Sequence, residues 1–544
     1  MAHLPCHTLL TVFEFLLFCS LSQLQGKDEP DTKGTYFIVG FLDNNSTQNP
    51  ELLIIPQSDV VVNISISMPH NTNFTPISRS LHLGEIALLE LDASVRMSGE
   101  KLGTQGVVIE STSDIVVYAL NKGNGSSDAF LALPHDALGD EYYVASYKPS
   151  RTYVSQVGII GVENDTQVNI STPRGCTNVF INGTWQQTGS VFSINISAYE
   201  TLQLLSDDDL TGAWIKGSSP LVVISGDTSV INHTQQQFLW GDHLEEQLSP
   251  TKSWGRTFAT VPFSEEIKGD IFRIIASKNK TTVRIKQRKT NKAIYLDAGD
   301  FAEVNVSQND FISVVSSKPV LLLQFTLAAE PRDSYMLLVP PLEQRQHEYL
   351  FSTVRGEGAK DINLVIPSNM VEGLLLDGKN LAASNISHLI NIEGEDGNYS
   401  AVKLTVSDGR HNLSHGTESG VFAALSYGFP LGMKMAELPG EVYEIAEVSH
   451  AETFTKAQNS VPVVPPLSQA DIMTSQVNRV DAAVRESYDD LTDAGWSPAV
   501  LAVIISLSAA VFFVIACILG FLVAELVCKG DGPFRSIKIL PITN

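Results

Sequence analysis

Val62-Asn63-Ile64-Ser65-Ile66 places three branched apolar side chains on one face of an extended chain and two polar ones on the other. That period of two is the pattern of a strand with one face buried. It recurs in Phe192-Ser193-Ile194-Asn195-Ile196, Val168-Asn169-Ile170, Val283-Arg284-Ile285 and Val304-Asn305-Val306. A second kind of strand is apolar throughout, as in Ile115-Val116-Val117, Leu221-Val222-Val223-Ile224 and Val320-Leu321-Leu322-Leu323, and suits burial on both faces. Helical periodicity is nearly absent before residue 436, so this region is expected to be all-β.

The three apolar strands share a context. Each follows a Ser-containing turn: Ser111 to Asp114, Gly217 to Pro220, and Ser316 to Pro319. An alternating strand lies upstream of each, at Glu85 to Leu88, Glu200 to Leu204 and Phe301 to Val304. Downstream, an apolar strand ends in Pro: Phe130 to Pro134, the weaker Val261-Pro262, and Leu337 to Pro340. Gly420 to Ala424 reads as a degenerate fourth copy. The expectation is tandem β-sandwich-like repeats of about 100 residues, roughly 34–165, 166–280 and 281–435. A single β-propeller-like ectodomain is the alternative, although a blade needs only about 40–50 residues.

Outside this region the chain changes character. Residues 1–26 hold an apolar stretch, Leu9 to Leu21, too short to span a bilayer and followed by small and polar residues. It reads as a signal peptide, with a retained second anchor as the alternative. Residues 436–497, acidic and carrying Pro462, Pro465 and Pro466, read as a stalk. Residues 498–528 contain a nearly uncharged tract long enough to cross a ~30 Å hydrocarbon core as one helix. Lys529, Arg535 and Lys538 beyond it mark 529–544 as a cytoplasmic tail, which puts residues 27–435 outside the plasma membrane as a single-pass type I ectodomain.

Fifteen Asn-x-Ser/Thr sequons, all on the expected outer side, agree with this: Asn44, Asn45, Asn63, Asn73, Asn124, Asn164, Asn169, Asn182, Asn195, Asn232, Asn279, Asn305, Asn385, Asn398 and Asn412. Asn44 and Asn45 overlap and would share one glycan. The net charge of −24 argues against nucleic acid or anionic lipid as a partner of the ectodomain.

Five cysteines are present, and only Cys176 lies in the expected ectodomain. One thiol cannot form an internal disulfide, so the fold must rest on apolar burial. Cys176 keeps three readings: a buried inert thiol, an interchain disulfide that would make a homodimer, or a reactive group. Cys528, at the inner end of the apolar tract, has the position of a palmitoylation site. Ala516 and Gly520 have the small-xxx-small spacing that permits helix pairing.

Catalytic and metal motifs are not found: there is no His-Glu-x-x-His, Cys-x-x-Cys, Gly-x-Ser-x-Gly or phosphate-binding glycine loop. No cofactor, no metal and no enzymatic activity are therefore expected. His411 and His415, four apart, read as members of an exposed loop, Asp207 to Asp209 and Glu393 to Asp396 as solvated turns, and Lys268-Gly269-Asp270 as a turn despite its likeness to an integrin-binding tripeptide. The densest polar cluster is Asp242, His243, Glu245, Glu246 and Gln247. It reads either as a ligand-contact loop or as a loop tied to its sandwich by hydrogen bonds, with Trp254-Gly255 as its packing anchor.

Three stretches in consistent order resemble the N-terminal domain of the IgG Fc-binding protein family: Gly34 to Phe41, Ser127 to Tyr147 with its Pro134 turn and Leu138-Gly139-Asp140-Glu141-Tyr142, and Asp242 to Leu248 followed by Pro250 and Trp254-Gly255. The resemblance covers roughly residues 34–430. The cysteines of the von Willebrand type D repeats that follow in mucus-associated members are absent, and Ser229 and Gly241 stand where the family tends to carry cysteine. The resemblance implies an extracellular binding domain, with immunoglobulin Fc as a ligand on that ground alone. The function expected is binding of an extracellular protein or glycan ligand in adhesion or in mucosal or immune surface recognition. A structural glycocalyx component without a specific ligand and, less favoured, an ectoenzyme are the alternatives.

Overall fold

The computed structural model describes residues 32–427, apart from 58–59, 83, 100–101, 124–125, 150–152, 174, 188–190, 231–241, 264–268, 327–333, 354–360, 382–385, 395–396 and 418–422. The expected signal peptide, stalk, membrane span and tail, with Cys528, Ala516 and Gly520, lie outside the described residues. Among the described residues no helix is long and apolar enough to cross a membrane.

The described chain is all-β, and three of its sheets share one wiring. The first contains β1 (Gly34–Val39), β2 (Glu51–Pro56), β3 (Val62–Ser67), β4 (Ile77–Leu81), β5 (Ala87–Glu90), β6 (Val107–Asn121) and β7 (Asp128–Leu131). The first half of β6 pairs with β1 and β3, and its second half with β2 and β7. One long strand therefore serves two half-sheets that curl over a common core.

The second sheet holds β8 (Gly139–Tyr143), β9 (Ser155–Gly161), β10 (Thr166–Ser171), an added hairpin of β11 (Asn178–Ile181) and β12 (Thr184–Gln187), β13 (Val191–Ile196), β14 (Thr201–Ser206), β15 (Trp214–Val230) and β16 (Asp242–Gln247). The third holds β17 (Gly255–Thr260), β18 (Asp270–Ala276), β19 (Thr281–Lys286), β20 (Asn291–Leu296), β21 (Phe301–Val306), β22 (Ile312–Thr326) and β23 (Tyr335–Val339). β15 and β22 occupy the place of β6 in them.

A fourth unit follows this order with its long strand broken, with an added edge strand β28 beside β29 and, among the described residues, no counterpart of β7. It contains β24 (Glu348–Thr353), β25 (Asp361–Pro367), β26 (Leu374–Leu376), β27 (Lys379–Asn380), β28 (Ile386–Glu393), β29 (Asn398–Thr405), β30 (Gly409–His415) and β31 (Ala423–Tyr427). β30 pairs with β24 and β26, while β31 pairs with β25, giving two four-stranded sheets. The first three sheets, of seven, nine and seven strands, are too large for the four-stranded blades of the propeller alternative.

The Ser-containing segments are not turns ahead of the apolar strands, as expected from sequence, but bends inside the long ones. Ser111 Oγ donates to Ser113 O (2.8 Å) and Ser316 Oγ to Lys318 O (2.6 Å), holding the extra residues of a bulge. The register slips across it, Tyr36 facing Glu110 while Gly34 faces Ile115. At each slip a glycine lies under a proline of the following turn. A Cβ on Gly34, Gly139 or Gly255 would come within 2.6, 2.5 or 2.1 Å of the Cβ of Pro134, Pro250 or Pro341. The expected strand at Val261-Pro262 is therefore replaced by β16 with Pro250. The sheets also begin earlier than the 165/166 and 280/281 boundaries, because β8 and β17 directly follow these proline turns.

The units are sealed to each other by apolar side chains. Ile160, Val162, Val222 and Ile224 of the second complete the core around Phe41, Leu42 and Met97 of the first. Ile275, Leu321 and Phe325 of the third pack into the second, and Ala259, Val261 and Phe311 of the third meet Val365, Ile390 and Ile392 of the fourth. Leu350 of β24 returns to the outer face of the first unit, against Leu53, Ile55 and Val116. β7, β16 and β23 lie side by side at the centre of this arrangement.

Candidate functional site

The Asp242–Gln247 segment is strand β16, and every residue in it is buried. It pairs with the end of β15 and is held from both sides. Towards the first unit, Glu245 Oε1 accepts Leu42 N (2.9 Å), Glu245 Oε2 accepts from Asn121 Nδ2 and His243 Nε2, and Asp128 Oδ2 accepts Glu245 N (2.9 Å). Gln247 Oε1 accepts Leu133 N (3.1 Å) and Asp242 Oδ1 accepts Ser127 N (3.2 Å). Towards the third unit, Asp242 Oδ2 accepts Ser334 N (2.7 Å) and Glu246 Oε2 accepts Leu338 N (3.3 Å).

The segment is thus a buried strand and not a loop, and its contacts are those of the hydrogen-bonded reading of the sequence and not of the ligand-contact one. These carboxylates face backbone N–H groups of two neighbouring units, and buried acceptors so engaged hold a junction together rather than meet a ligand. Its logic extends beyond β16. Asn121 Oδ1 accepts Arg96 Nε (2.7 Å), and Arg96 Nη2 reaches Lys122 O (2.6 Å), tying in the loop after β6. His243 Nε2 lies 3.0 Å from Glu245 Oε2 and 3.2 Å from Asn121 Nδ2, while its Nδ1 is buried with no hydrogen-bond partner among the described residues.

Burial pushes the Glu246 carboxyl well above the ordinary 4.5, with Glu245 adding repulsion, and does the same to Asp128 from 3.8. A carboxyl whose folded-state pKa is raised binds more protons folded than unfolded, so its share of stability is full below about 4.5 and is lost as pH climbs through the raised value. Glu246→Gln keeps an acceptor for Leu338 N without the charge. Its unfolding midpoint in urea is expected to equal or exceed the wild type at pH 8 and to vary less between pH 5 and 8. A midpoint falling more steeply with pH than in the wild type would contradict this reading.

A second polar junction joins units two and three. Arg273 on β18, 2 % exposed, donates through Nη1 to Ser146 O, Thr211 Oγ1 and Asp209 Oδ2 (2.9 Å), and through Nη2 to Glu303 Oε1. The Phe301, Tyr147 and Phe325 rings lie 4.3, 5.0 and 5.5 Å from its Cζ. Asp227, pushed well up by burial, sits beside it and accepts Tyr147 N (3.0 Å). Sequence reading missed Arg96, Asn121, Asp128 and Arg273, because their partners lie tens to more than a hundred residues away.

A family model described as IgGFc binding protein matches residues 128–428, more than half of the chain. The chain belongs to this family. The match starts at β7 and runs one residue past β31, so it includes the whole Arg273 junction and β16 with Asp128, but not Leu42, Arg96 or Asn121 on the far side of the first junction. A human protein named IgGFc-binding protein is 27 % identical over 416 residues, 74 % of this chain, and the chain spans 7 % of that protein's length. The family-like Leu138 to Tyr142 segment has a structural role here: Gly139 lies under Pro250, and the buried Tyr142 hydroxyl accepts Gly139 N (3.0 Å) and donates to Leu221 O (2.7 Å). Trp254 is buried, its Nε1 on Ser249 O (3.1 Å) and its ring 6.1 Å from Tyr143.

Other sequence candidates are placed as follows. Asn45, Asn63, Asn73, Asn164, Asn182, Asn195, Asn279, Asn305 and Asn398 are exposed, and Asn169 and Asn412 half-buried. Asn44 is 5 % exposed, with Nδ2, the atom a glycan would occupy, donating to Asn121 O (3.0 Å) and Ser126 O (2.9 Å). Of the overlapping pair, Asn45 is therefore the acceptor that the folded domain can present. Asn124, Asn232 and Asn385 lie outside the described residues.

His411 sits on strand β30 rather than in an exposed loop, 6 % exposed with Nδ1 2.9 Å from Asp377 Oδ2. Asp270 of the Lys-Gly-Asp tripeptide is 1 % exposed and accepts Gln324 Nε2 (2.6 Å), so it cannot serve an integrin. Among the described residues no group of three or more His, Cys, Asp or Glu is arranged to hold a metal ion.

Cys176 is buried, its Sγ 3.4 Å from Ser206 Oγ, and burial raises its thiol pKa. That corrects the interchain-disulfide reading, since a buried thiol held protonated neither reaches a second chain nor attacks readily. Peptide-mapped alkylation of the folded protein should leave Cys176 unmodified, whereas denaturant should expose it fully. Rapid modification without denaturant would overturn the assignment.

Proposed function

We propose that this chain is an outward-facing glycoprotein that recognises an extracellular protein or glycan ligand, in adhesion or in mucosal or immune defence, anchored as a single-pass type I plasma-membrane protein. The observation that carries this reading is the family match, laid over units whose polar side chains are spent on sealing junctions while their acceptor asparagines face outward. Binding rather than catalysis follows from the same allocation, because the buried carboxylates described above are engaged by backbone N–H groups. Immunoglobulin Fc is the first ligand to try, on the strength of the human relative's name.

The test displays the full-length chain on cells and titrates labelled Fc, mucins and a glycan panel. Saturable binding of one component supports recognition. Dense glycosylation with no saturable partner supports the glycocalyx reading instead.

A further inference from the structure

Gln203 on β14 has counterparts in the first and third units. It shares a row with Gly158 and Ile224, as Leu88 does with Leu53 and Tyr118, and Glu303 with Arg273 and Leu323. Those two counterparts are spent on sealing a junction. Glu303 is held by Arg273, which reaches the second unit, and Leu88 packs in the apolar cluster that receives Leu350 of the fourth. Gln203 is 3 % exposed, yet its Oε1 has no hydrogen-bond partner.

Which atom of that amide is left over follows from its neighbours. Asp43 O can only accept, so Gln156 turns Nε2 to it (2.8 Å) and Oε1 to Gln203. Gln203 must then donate through Nε2 to Gln156 Oε1 (2.7 Å), which leaves its own Oε1 as an acceptor. A buried acceptor without a donor costs about 1–3 kcal/mol, so it marks a place where a donor belongs.

Gln203 borders a cavity of about 260 Å³ at the seam of the first two units, where a backbone bridge between Gly103 and Thr201 joins them. Ser98, Gly99, Leu102, Thr104 and Gln105 of the first unit and Thr201 of the second contribute to its wall. The acceptor lies on this side: Gln203 Oε1 is 3.4 Å from the place a Cβ on Gly99 would take. Gly99 has φ +76°, and Leu205 Cδ1 would stand 2.7 Å from that Cβ, so only glycine leaves the space open. Across the cavity Thr201 Oγ1 donates to Gln105 Oε1 (2.8 Å), which leaves Gln105 Nε2 to donate.

We propose that this cavity binds the terminal residue of a neutral glycan, one ring hydroxyl donating to Gln203 Oε1 and another accepting from Gln105 Nε2. This rests on the recognition reading above and gives it a ligand class and a place. The cavity has the volume of about nine waters at ~30 Å³ each, the bulk of one sugar ring with its substituents. A hydroxyl both donates and accepts, so neighbouring hydroxyls of one ring satisfy an acceptor and a donor together. Leu102 offers an apolar wall to the C–H face of the ring, and the described wall residues carry no charge, which favours a neutral sugar over an acidic one.

The test follows saturation-transfer NMR between the full-length protein in detergent and the methyl glycosides of galactose, mannose and N-acetylglucosamine. Glucuronic acid and N-acetylglutamine amide serve as comparison ligands. Gln203→Leu installs the first unit's own residue but leaves Gln156 Oε1 without its donor, so its urea midpoint is measured alongside. Gln105→Ala leaves that chain of amides intact and removes the donor. Each should weaken binding of the preferred glycoside about tenfold or more, the worth of one hydrogen bond to a buried group. Gln167→Leu, on an exposed position of β10, should alter it less than about twofold. No glycoside binding by the wild type, equal loss in Gln167→Leu, undiminished binding in Gln105→Ala and a folded Gln203→Leu, or tighter binding of glucuronic acid would overturn the proposal. N-acetylglutamine amide competing as well as the glycosides would replace the glycan with a peptide. The Fc, mucin and glycan titration above, repeated with Gln105→Ala, separates the two levels: a saturable partner that the substitution leaves untouched keeps the wider reading and removes this site.

Discussion

Glu245→Ala is expected to destabilise the first two units by about 3–5 kcal/mol, the range for removing one member of a buried charged network. The side chain is fully buried, and its two oxygens serve Leu42 N, Asn121 Nδ2 and His243 Nε2. Truncation leaves those donors without an acceptor and opens a void beside Leu42. Desolvated donors are costly because no water replaces the lost partner. Glu245→Gln preserves the shape and one acceptor oxygen, and His243 can switch tautomer to accept from the new amide. A smaller loss, about 1–2 kcal/mol, is expected. Urea unfolding followed by hydrogen exchange at β7 and β16 would measure both. A change under about 0.5 kcal/mol for the alanine variant would mean that β16 is not the tie between units.

Arg273 carries the second large effect. Its guanidinium joins Ser146, Asp209 and Thr211 of the second unit to Glu303 of the third and lies over Phe301. Lysine presents one ammonium and no planar fork, so Arg273→Lys cannot hold both units at once and should cost about 2–3 kcal/mol despite keeping the charge. Arg273→Ala should cost about 3–5 kcal/mol, since Asp209 and Asp227 lose a neighbouring cation and the ring contacts are vacated. The damage should appear as protease cleavage near residues 248–270. A lysine variant as stable as wild type would show that charge alone suffices.

Much of this fold was legible because burial leaves a periodic trace. Alternation in β3, β10, β13 and β19 and the all-apolar halves of β6, β15 and β22 gave the strands and the three-fold recurrence. What escaped was whatever depends on distant residues. The bends within the long strands resemble ordinary turns locally, and only pairing with both half-sheets reveals continuity.

β16 is the clearest case. Four places beyond the bend, Tyr118, Ile224 and Leu323 face Leu131, Gln247 and Leu338, so Gln247 stands where the other units put leucine. Glu245 likewise stands where Ala129 and Met336 do. A strand written Asp-His-Leu-Glu-Glu-Gln reads as a loop, whether ligand-contacting or tied down by hydrogen bonds, because its partners, Leu42, Asn121, Asp128 and Leu338, are invisible to any local window.

An outward-facing molecule would carry sugars on the hairpins of the first two units, at Asn63, Asn169 and Asn195. Site-by-site glycopeptide mass spectrometry of the full-length chain from a secreting cell tests that most directly. Occupancy is expected at Asn45, Asn63, Asn169 and Asn195, with Asn44 empty. A chain bearing no N-glycan, or one glycosylated at Asn44 while Asn63 and Asn195 stay bare, would contradict it.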